Sequence, residues 1–428
     1  MKISVIGLGK LGTSTAFFLR SKGLHVSGYD INKETCKLLE KNKISFYEKS
    51  LEKLLKRYKI KVQFDLKKLI QNSDTSYIIV PTPSKKDGSF SYKYVKDVLN
   101  STFQIVKNKK KIHNIILTST VSPKTCESLI SYFEKKYNIR DGKHFRFFYN
   151  PYFIALGDIV DNLDNPDFLL VGCKSKNKLF YRKLFKKIYF KKKIPIKFLN
   201  ITEAEITKIS INCYITMKIS YTNTISSIAD NIKSTKINTA KILDVIGSDK
   251  RINKQYLKLG TMFSGPCFPR DNLAMTNFMS KLNSNSDIFR SSNVINNYQS
   301  DRYLKLLSKY SKNKKIGFLG LTYKSGTDLF TDSPAFYLYQ RFKSKFKVFH
   351  GYDPFFKDEI IEQINNKYKK LFVQKNYKKF VSSCDIIILC YQDQKFKKLK
   401  NEKNKIIVDP WNYLKSVSKS KYINIGIS

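Results

Sequence analysis

Histidine is scarce in this chain. His25, His113, His144 and His350 are the whole complement of 428 residues, and they form no cluster. None stands at ligand spacing from a partner, so no structural or catalytic metal is expected. The seven cysteines are scattered, odd in number and without a Cys-x-x-Cys pair. That pattern excludes a zinc ribbon and a disulfide framework, and predicts reduced thiols in a cytoplasmic setting. Long apolar runs are missing as well. The stretch Asp385 to Cys390 is of strand length, far short of the roughly 20 residues a membrane span needs. The first residues enter a strand pattern at once and leave no room for a signal peptide. No membrane partner is expected.

Acidic residues are few, 34 against 80 lysines and arginines, for a net charge of +46. Basic proteins often bind nucleic acid or anionic membranes. Arginine, however, is nearly absent: only 10 of the 80 cationic residues are Arg. Arg is the side chain suited to bidentate recognition of bases and phosphates. The lysines are spread along the chain, with short runs at Lys109–Lys111 and Lys191–Lys193. Lys, Asn and Ile are all abundant, as an AT-rich coding bias produces. The charge therefore reads as solvated surface, and nucleic acid is not expected as a partner. A field of this sign still draws in a polyanionic substrate.

What is present is strongly patterned. A short strand, Lys2 to Ile6, runs into Gly7-Leu8-Gly9-Lys10-Leu11-Gly12, and a helical pattern follows with Ala16, Phe17 and Leu19 on its apolar side. A second strand, His25 to Tyr29, ends at Asp30. This is G-x-G-x-x-G between strand and helix. The glycines allow a tight turn and close approach of a pyrophosphate to the helix N-terminus. Asp30 stands where a carboxylate accepts hydrogen bonds from the adenosine ribose and repels a 2′-phosphate. NAD is favoured over NADP.

Strand and helix patterns alternate onward through Thr75–Val80, Asn114–Thr118, Phe145–Tyr149, Phe168–Val171 and Pro195–Phe198. From Ile201 the pattern becomes a long helix with Ala204, Ile209, Cys213, Met217 and Ile228 at apolar positions, and more helix through Ala240–Val245. Strands return at Ile316–Gly320, Val348–Tyr352, Asp385–Cys390 and Ile406–Asp409. The expected fold is α/β: two Rossmann-like, doubly wound parallel-sheet domains joined by a central helical domain. Boundaries are placed at 1–200, 201–310 and 311–428. The two sheet domains read as a duplication of fold type and not of sequence.

Cys267 lies in Gly265-Pro266-Cys267-Phe268-Pro269-Arg270-Asp271. Gly-Pro ends a loop, and Pro is tolerated in the first turn of a helix. A thiol there feels the positive end of the helix dipole, which favours the thiolate. Asp271, four residues on, shares its face. The bland alternative is a buried structural Cys with an exposed Asp.

In this order and spacing the chain resembles the UDP-glucose/GDP-mannose dehydrogenases over nearly its whole length. The resemblance rests on Gly7–Gly12, Tyr29-Asp30, Pro81-Thr82-Pro83, Ser119-Thr120-Val121, Asn150-Pro151, Glu205 to Asn212, Gly265 to Asp271 and Gly320-Leu321-Thr322-Tyr323-Lys324. It implies NAD-dependent oxidation of C6 of a nucleotide sugar, UDP-glucose or a related UDP-hexose, to a uronic acid. Cys267 would capture the aldehyde as a thiohemiacetal that becomes a thioester. Lys208 and Asn212, four apart on one helix, would stabilise the oxyanion. Asp271 would position water or take a proton, and Thr120 would bond that water near the nicotinamide. The family implies cofactor contacts from Gly7, Gly9, Leu11, Gly12, Asp30, Pro81, Thr82 and Thr120. It implies substrate contacts from Lys208, Asn212, Arg251, Tyr256, Lys258, Gly265 and Lys324, and a homodimer or higher oligomer centred on the long helix.

One departure stands out. The family reads Asn-Pro-Glu where this chain has Asn150-Pro151-Tyr152, and a second Glu is replaced by Leu156. A phenol with its ordinary pKa near 10 cannot replace a carboxylate base at neutral pH. Alternatives remain open: a UDP-N-acetylhexosamine substrate, a β-hydroxyacid dehydrogenase, or a nucleotide-sugar-binding protein without turnover. The third domain and Cys267 speak against the β-hydroxyacid reading.

Overall fold

Alternation of apolar residues decides the first sheet. Ile116 and Phe148 point into one core, while their strand neighbours Ile115, Leu117, Phe147 and Tyr149 point into the other. A sheet buried on both faces needs apolar residues at successive positions, and the strands supply them. In the computed structural model this sheet has eight strands: β1 (Lys2–Ile6), β2 (His25–Tyr29), β3 (Lys61–Val62), β4 (Thr75–Ile78), β5 (His113–Leu117), β6 (Phe145–Tyr149), β7 (Leu169–Gly172) and β8 (Ile196–Leu199). Their spatial order is β3-β2-β1-β4-β5-β6-β7-β8. The β6–β7 pair is antiparallel through Tyr149 and Gly172; the other neighbours are parallel.

The second sheet has six parallel strands: β9 (Ile316–Leu319), β10 (Phe349–Tyr352), β11 (Leu371–Val373), β12 (Ile386–Leu389), β13 (Ile406–Val408) and β14 (Lys421–Ile423). Their order is β11-β10-β9-β12-β13-β14. Both sheets reverse direction beside their first strand, the crevice where doubly wound folds bind ligands. The helices that matter below are α1 (Lys10–Ser21), α2 (Thr125–Tyr137), α3 (Ile201–Asn231), α4 (Phe268–Lys281) and α5 (Asp287–Leu307). The described residues are all but 155, 191, 233, 415–419 and 428. Ala155, and Lys191 of the Lys191–Lys193 run, therefore lie outside them.

The chain divides into two compact units, Met1–Ile211 with Asn277–Asn283, and Asn212–Thr276 with Ser284–Ser428. Among the described residues no helix is long and apolar enough to cross a membrane. Among them, too, no group of three or more His, Cys, Asp or Glu is placed to hold a metal. All seven cysteines are free.

The duplication of fold type reaches further into the sequence than expected. Gly28-Tyr29-Asp30 ends β2, and Gly351-Tyr352-Asp353 ends β10. Gly7 N–H donates to Tyr29 O over 2.8 Å, and Gly320 N–H to Tyr352 O over 2.9 Å. Leu8 N–H donates to Asp30 Oδ2 and Leu321 N–H to Asp353 Oδ2. Gly7 and Gly320 both have left-handed φ, +93° and +92°. The two turns are copies, but they differ above the glycine. At Gly320 an added Cβ would lie 2.6 Å from the Tyr391 ring, and the Tyr391 hydroxyl donates to Asp353. Asp353 also accepts from Thr322 and Phe355 N–H and is buried. Burial pushes its carboxyl up to about 6. The second turn is thus sealed by its own side chains.

Candidate active site

The first turn is open. Gly7 has no room for a side chain, because a Cβ would stand 2.2 Å from Ile79 O. A Cβ on Gly12 would stand 1.8 Å from Gly7 O. Gly9 is different: a Cβ there meets nothing within 4 Å, and its φ of −65° suits any residue. The fold needs glycine at 7 and 12 but not at 9. Bare backbone at the exposed N-cap of α1 fits a pyrophosphate resting on it. Leu11 packs its side chain against the core behind the turn. Asp30 accepts from Leu8 N–H at 2.6 Å and Asn32 N–H at 2.8 Å, and is only partly buried. Unlike Asp353, it is not buried.

Across the crevice, Ser119 bonds both Val80 N–H and Val80 O, and Thr82 donates to Thr120 O over 2.7 Å. These bonds join the loop after β4, which carries Pro81 and Thr82, to the loop after β5, which carries Thr120. The structure therefore brings Thr82 and Thr120 together.

Lys208 is buried on α3, with its ammonium 4.7 Å from the centre of the Phe153 ring. It is not the solvated partner of Glu205 that helical spacing allows. Glu205 is fully buried and turns to the start of α2, accepting from Lys124 N–H at 2.7 Å and Cys126 N–H at 2.8 Å. A carboxylate at a helix N-terminus is favourable, but burial dominates and pushes Glu205 up to about 7. Tyr152 is half-buried against the first core. Burial raises its hydroxyl above the usual phenol range, opposed by the Thr15 and Thr118 hydroxyls beside it. Buried Glu48 accepts from Gly157 and Ile159 N–H at 3.0 Å each. Gly157 and Ile159 are thus anchored by a carboxylate from elsewhere in the same unit.

In the second unit, Cys267 is the exposed member of the seven cysteines. It stands immediately before α4, and its carbonyl accepts from Asp271 N–H over 2.8 Å, the first turn of that helix. Asp271 is buried, not exposed. The bland alternative has both residues the wrong way round. Asn212 donates from its side-chain amide to Asp271 Oδ2 over 2.7 Å, and Arg270 Nε lies 3.5 Å from Asp271 Oδ1. Cys213 Sγ and Thr216 on α3 add contacts to Asp271 O and to Asn272. Gly265 has φ +82°, and a Cβ there would lie 2.6 Å from the Tyr323 ring. The segment before Cys267 is thereby pressed against the loop that carries Lys324.

Arg251 is highly exposed and paired with Asp249 at 2.6 Å. Tyr256 adopts φ +64°. Tyr256 and Lys258 are exposed while Leu257 and Leu259 are buried, so alternate side chains of this irregular segment face outward. Three features escaped the sequence reading: Asp353, Glu48 and a polar face on α5. The repeated Gly-Tyr-Asp was the available signal for the first.

Comparison with known proteins gives a consistent picture. The NAD binding domain of the UDP-glucose/GDP-mannose dehydrogenase family matches residues 1–193. Its central domain matches 202–298 and its UDP binding domain 317–416. The chain is 28% identical over 442 residues to a UDP-glucose 6-dehydrogenase of Rickettsia conorii, covering 98% of this chain and 97% of that one. It is 27% identical over 421 residues to a GDP-mannose 6-dehydrogenase of Pseudomonas savastanoi pv. phaseolicola, covering 94% and 93%. In fold it is similar to a UDP-glucose dehydrogenase from the archaeon Pyrobaculum islandicum, with TM-score 0.89 at 24% identity over 100% and 98% of the chains.

Proposed function

The chain belongs to the UDP-glucose/GDP-mannose dehydrogenase family, and from that premise we propose that it oxidises C6 of a UDP-hexose, UDP-glucose first, to the uronic acid through a thioester on Cys267. It is an NAD-dependent oxidoreductase of nucleotide sugars. The observation that carries the proposal is Cys267, exposed at the N-terminus of α4, with buried Asp271 one turn on and bonded to Asn212. The UDP binding domain match at 317–416 supports a uridine nucleotide.

Gly7, Gly9 and Gly12 would cradle the pyrophosphate of NAD, with Asp30 on its ribose. When bound, NAD accepts hydride from C6 in each of two oxidations. The chain's own groups do the rest. Cys267 adds as thiolate to the C6 aldehyde. Lys208 and Asn212, one turn apart on α3, supply an ammonium and an amide to the oxyanion. Water adds to the resulting thioester, the sulfur leaves as thiolate, and the carboxylate departs. Overall the alcohol and one water give the carboxylate, two hydrides and three protons. Asp271, or Thr120, orients that water, because Tyr152 has no basic form to offer at neutral pH. Arg251, Tyr256, Lys258, Gly265 and Lys324 are assigned to the nucleotide sugar.

We assign the three domains to 1–200, 201–310 and 311–428. We also place the protein in the cytoplasm as a homodimer or larger oligomer. Tyr214, Tyr221 and Ile228, seven residues apart on α3 and exposed, supply an apolar stripe for a second copy. NADH release with UDP-glucose, a UDP-N-acetylhexosamine and GDP-mannose tests the substrate. Two NADH per uronate from UDP-glucose is expected. Turnover of GDP-mannose alone overturns the uridine assignment, and no turnover of any sugar overturns the enzyme.

A further inference from the structure

One face of α5 is polar where a packed helix should be apolar. Asn293, Asn296, Gln299 and Tyr303 recur at helical spacing, and the last three are buried. Each is turned toward backbone or helix on one side or the other of Cys267. Asn296 makes a two-point clamp on Phe263: its Oδ1 accepts from Phe263 N–H over 2.7 Å, and its Nδ2 donates to Phe263 O over 3.0 Å. Gln299 Nε2 and the Tyr303 hydroxyl both donate to Gly260 O, at 3.2 and 3.4 Å. Asn293 Oδ1 accepts from Asn272 Nδ2 over 2.9 Å, on α4 just past Asp271.

The clamp is not needed to close an ordinary turn. The 260–263 segment is irregular, and Gly260 O, Thr261 O and both backbone groups of Phe263 find side-chain partners. It is also fixed from other directions. Asn223 donates to Thr261 O, and a Cβ on Gly260 would lie 2.7 Å from the Trp411 indole nitrogen. Gly265 N–H donates to Asp332 O. Leucine at 296 would pack as well in a core, but it would leave the N–H and C=O of Phe263 without partners. An amide pays twice here because it satisfies both groups of one residue.

We propose that Asn296 is a positioning residue for Cys267: by pairing with both backbone groups of Phe263, it sets the path of the segment that delivers the thiol to the start of α4. This rests on the reading of Cys267 as nucleophile. Misplacement of a reacting atom by about 1 Å costs on the order of a hundredfold in rate.

The test uses Asn296→Asp, which keeps the shape but sets oxygen against Phe263 O, and Asn296→Ser, which shortens the reach. Cys267 is the exposed cysteine, so iodoacetamide labelling followed by peptide mapping reads its environment directly. For each folded variant we expect a displaced pH profile of Cys267 alkylation. We also expect kcat to fall about tenfold to a hundredfold, with NAD affinity unchanged. A merely structural role would lower the melting temperature and leave the alkylation profile of the folded enzyme alone. A wild-type alkylation profile and kcat in either folded variant overturns the proposal. Alkylated wild-type enzyme that keeps its activity overturns the nucleophile reading instead, and the alkylation profiles still judge the clamp.

Discussion

Asn212 and Asp271 are joined by a buried hydrogen bond of 2.7 Å from the amide of one to the carboxylate of the other. The bond ties α3 to the first turn of α4, four residues past the thiol. It orients Asp271 and turns the amide nitrogen, which carries a second N–H, to a fixed angle. Asp271→Asn keeps the shape and removes the charge. Hydrogen bonds to charged groups contribute about 1.5–3 kcal/mol, so a moderate loss of stability is expected. The larger effect should be on kcat, a loss of about a hundredfold or more. NAD affinity, measured by calorimetry, should not move. A variant with wild-type kcat would remove Asp271 from the chemistry.

The glycines of the first turn separate fold from function. Gly9→Ala should leave the melting temperature within error, since its Cβ meets nothing within 4 Å, while NAD binding weakens sharply. Gly12→Ala pushes a methyl to 1.8 Å from Gly7 O and should destabilise by about 1–3 kcal/mol. Equal melting losses in both variants would mean that the space over Gly9 is not the cofactor's.

Asp30→Ala should weaken NAD and narrow its margin over NADP by about tenfold or more, at about 1.5–3 kcal/mol per charged contact. Kinetics with the two cofactors read this directly. Unchanged selectivity would reduce Asp30 to the turn bond it makes with Leu8.

Glu205 gives a pH dependence with a definite sign. Its folded pKa, about 7, lies above the usual carboxylate range, so the folded state holds its proton where the unfolded state has lost it. The stability it contributes is present at acid pH and is lost as pH rises to about 7. Glu205→Gln leaves an amide NH2 facing one of the two N–H groups and should destabilise the protein. The wild type's margin over that variant should shrink between pH 5 and 8, roughly, in denaturant titrations. A margin that grows with pH would contradict the assignment.

Much of this was legible in the sequence. The long strands appeared within a residue or two because apolar runs bounded by glycine and polar residues admit little else. The strands β3, β11 and β14 were not, being two or three residues long and held by neighbouring strands more than by their own pattern. Cys267 and Asp271 were found by spacing, but their exposure and burial depend on packing against α3, which no local pattern records. Lys208 was located but its neighbour was not: a ring, Phe153, lies under the ammonium. Asn296 looked like one more asparagine in an Asn-rich chain. Its role depends on the backbone of Phe263, 33 residues away.

The most direct test of the account is product analysis of Cys267→Ser with UDP-glucose and excess NAD. The account predicts a folded protein that binds NAD as the wild type does and forms no uronic acid, because serine is far harder to ionise than cysteine. Uronic acid at the wild-type yield would contradict it.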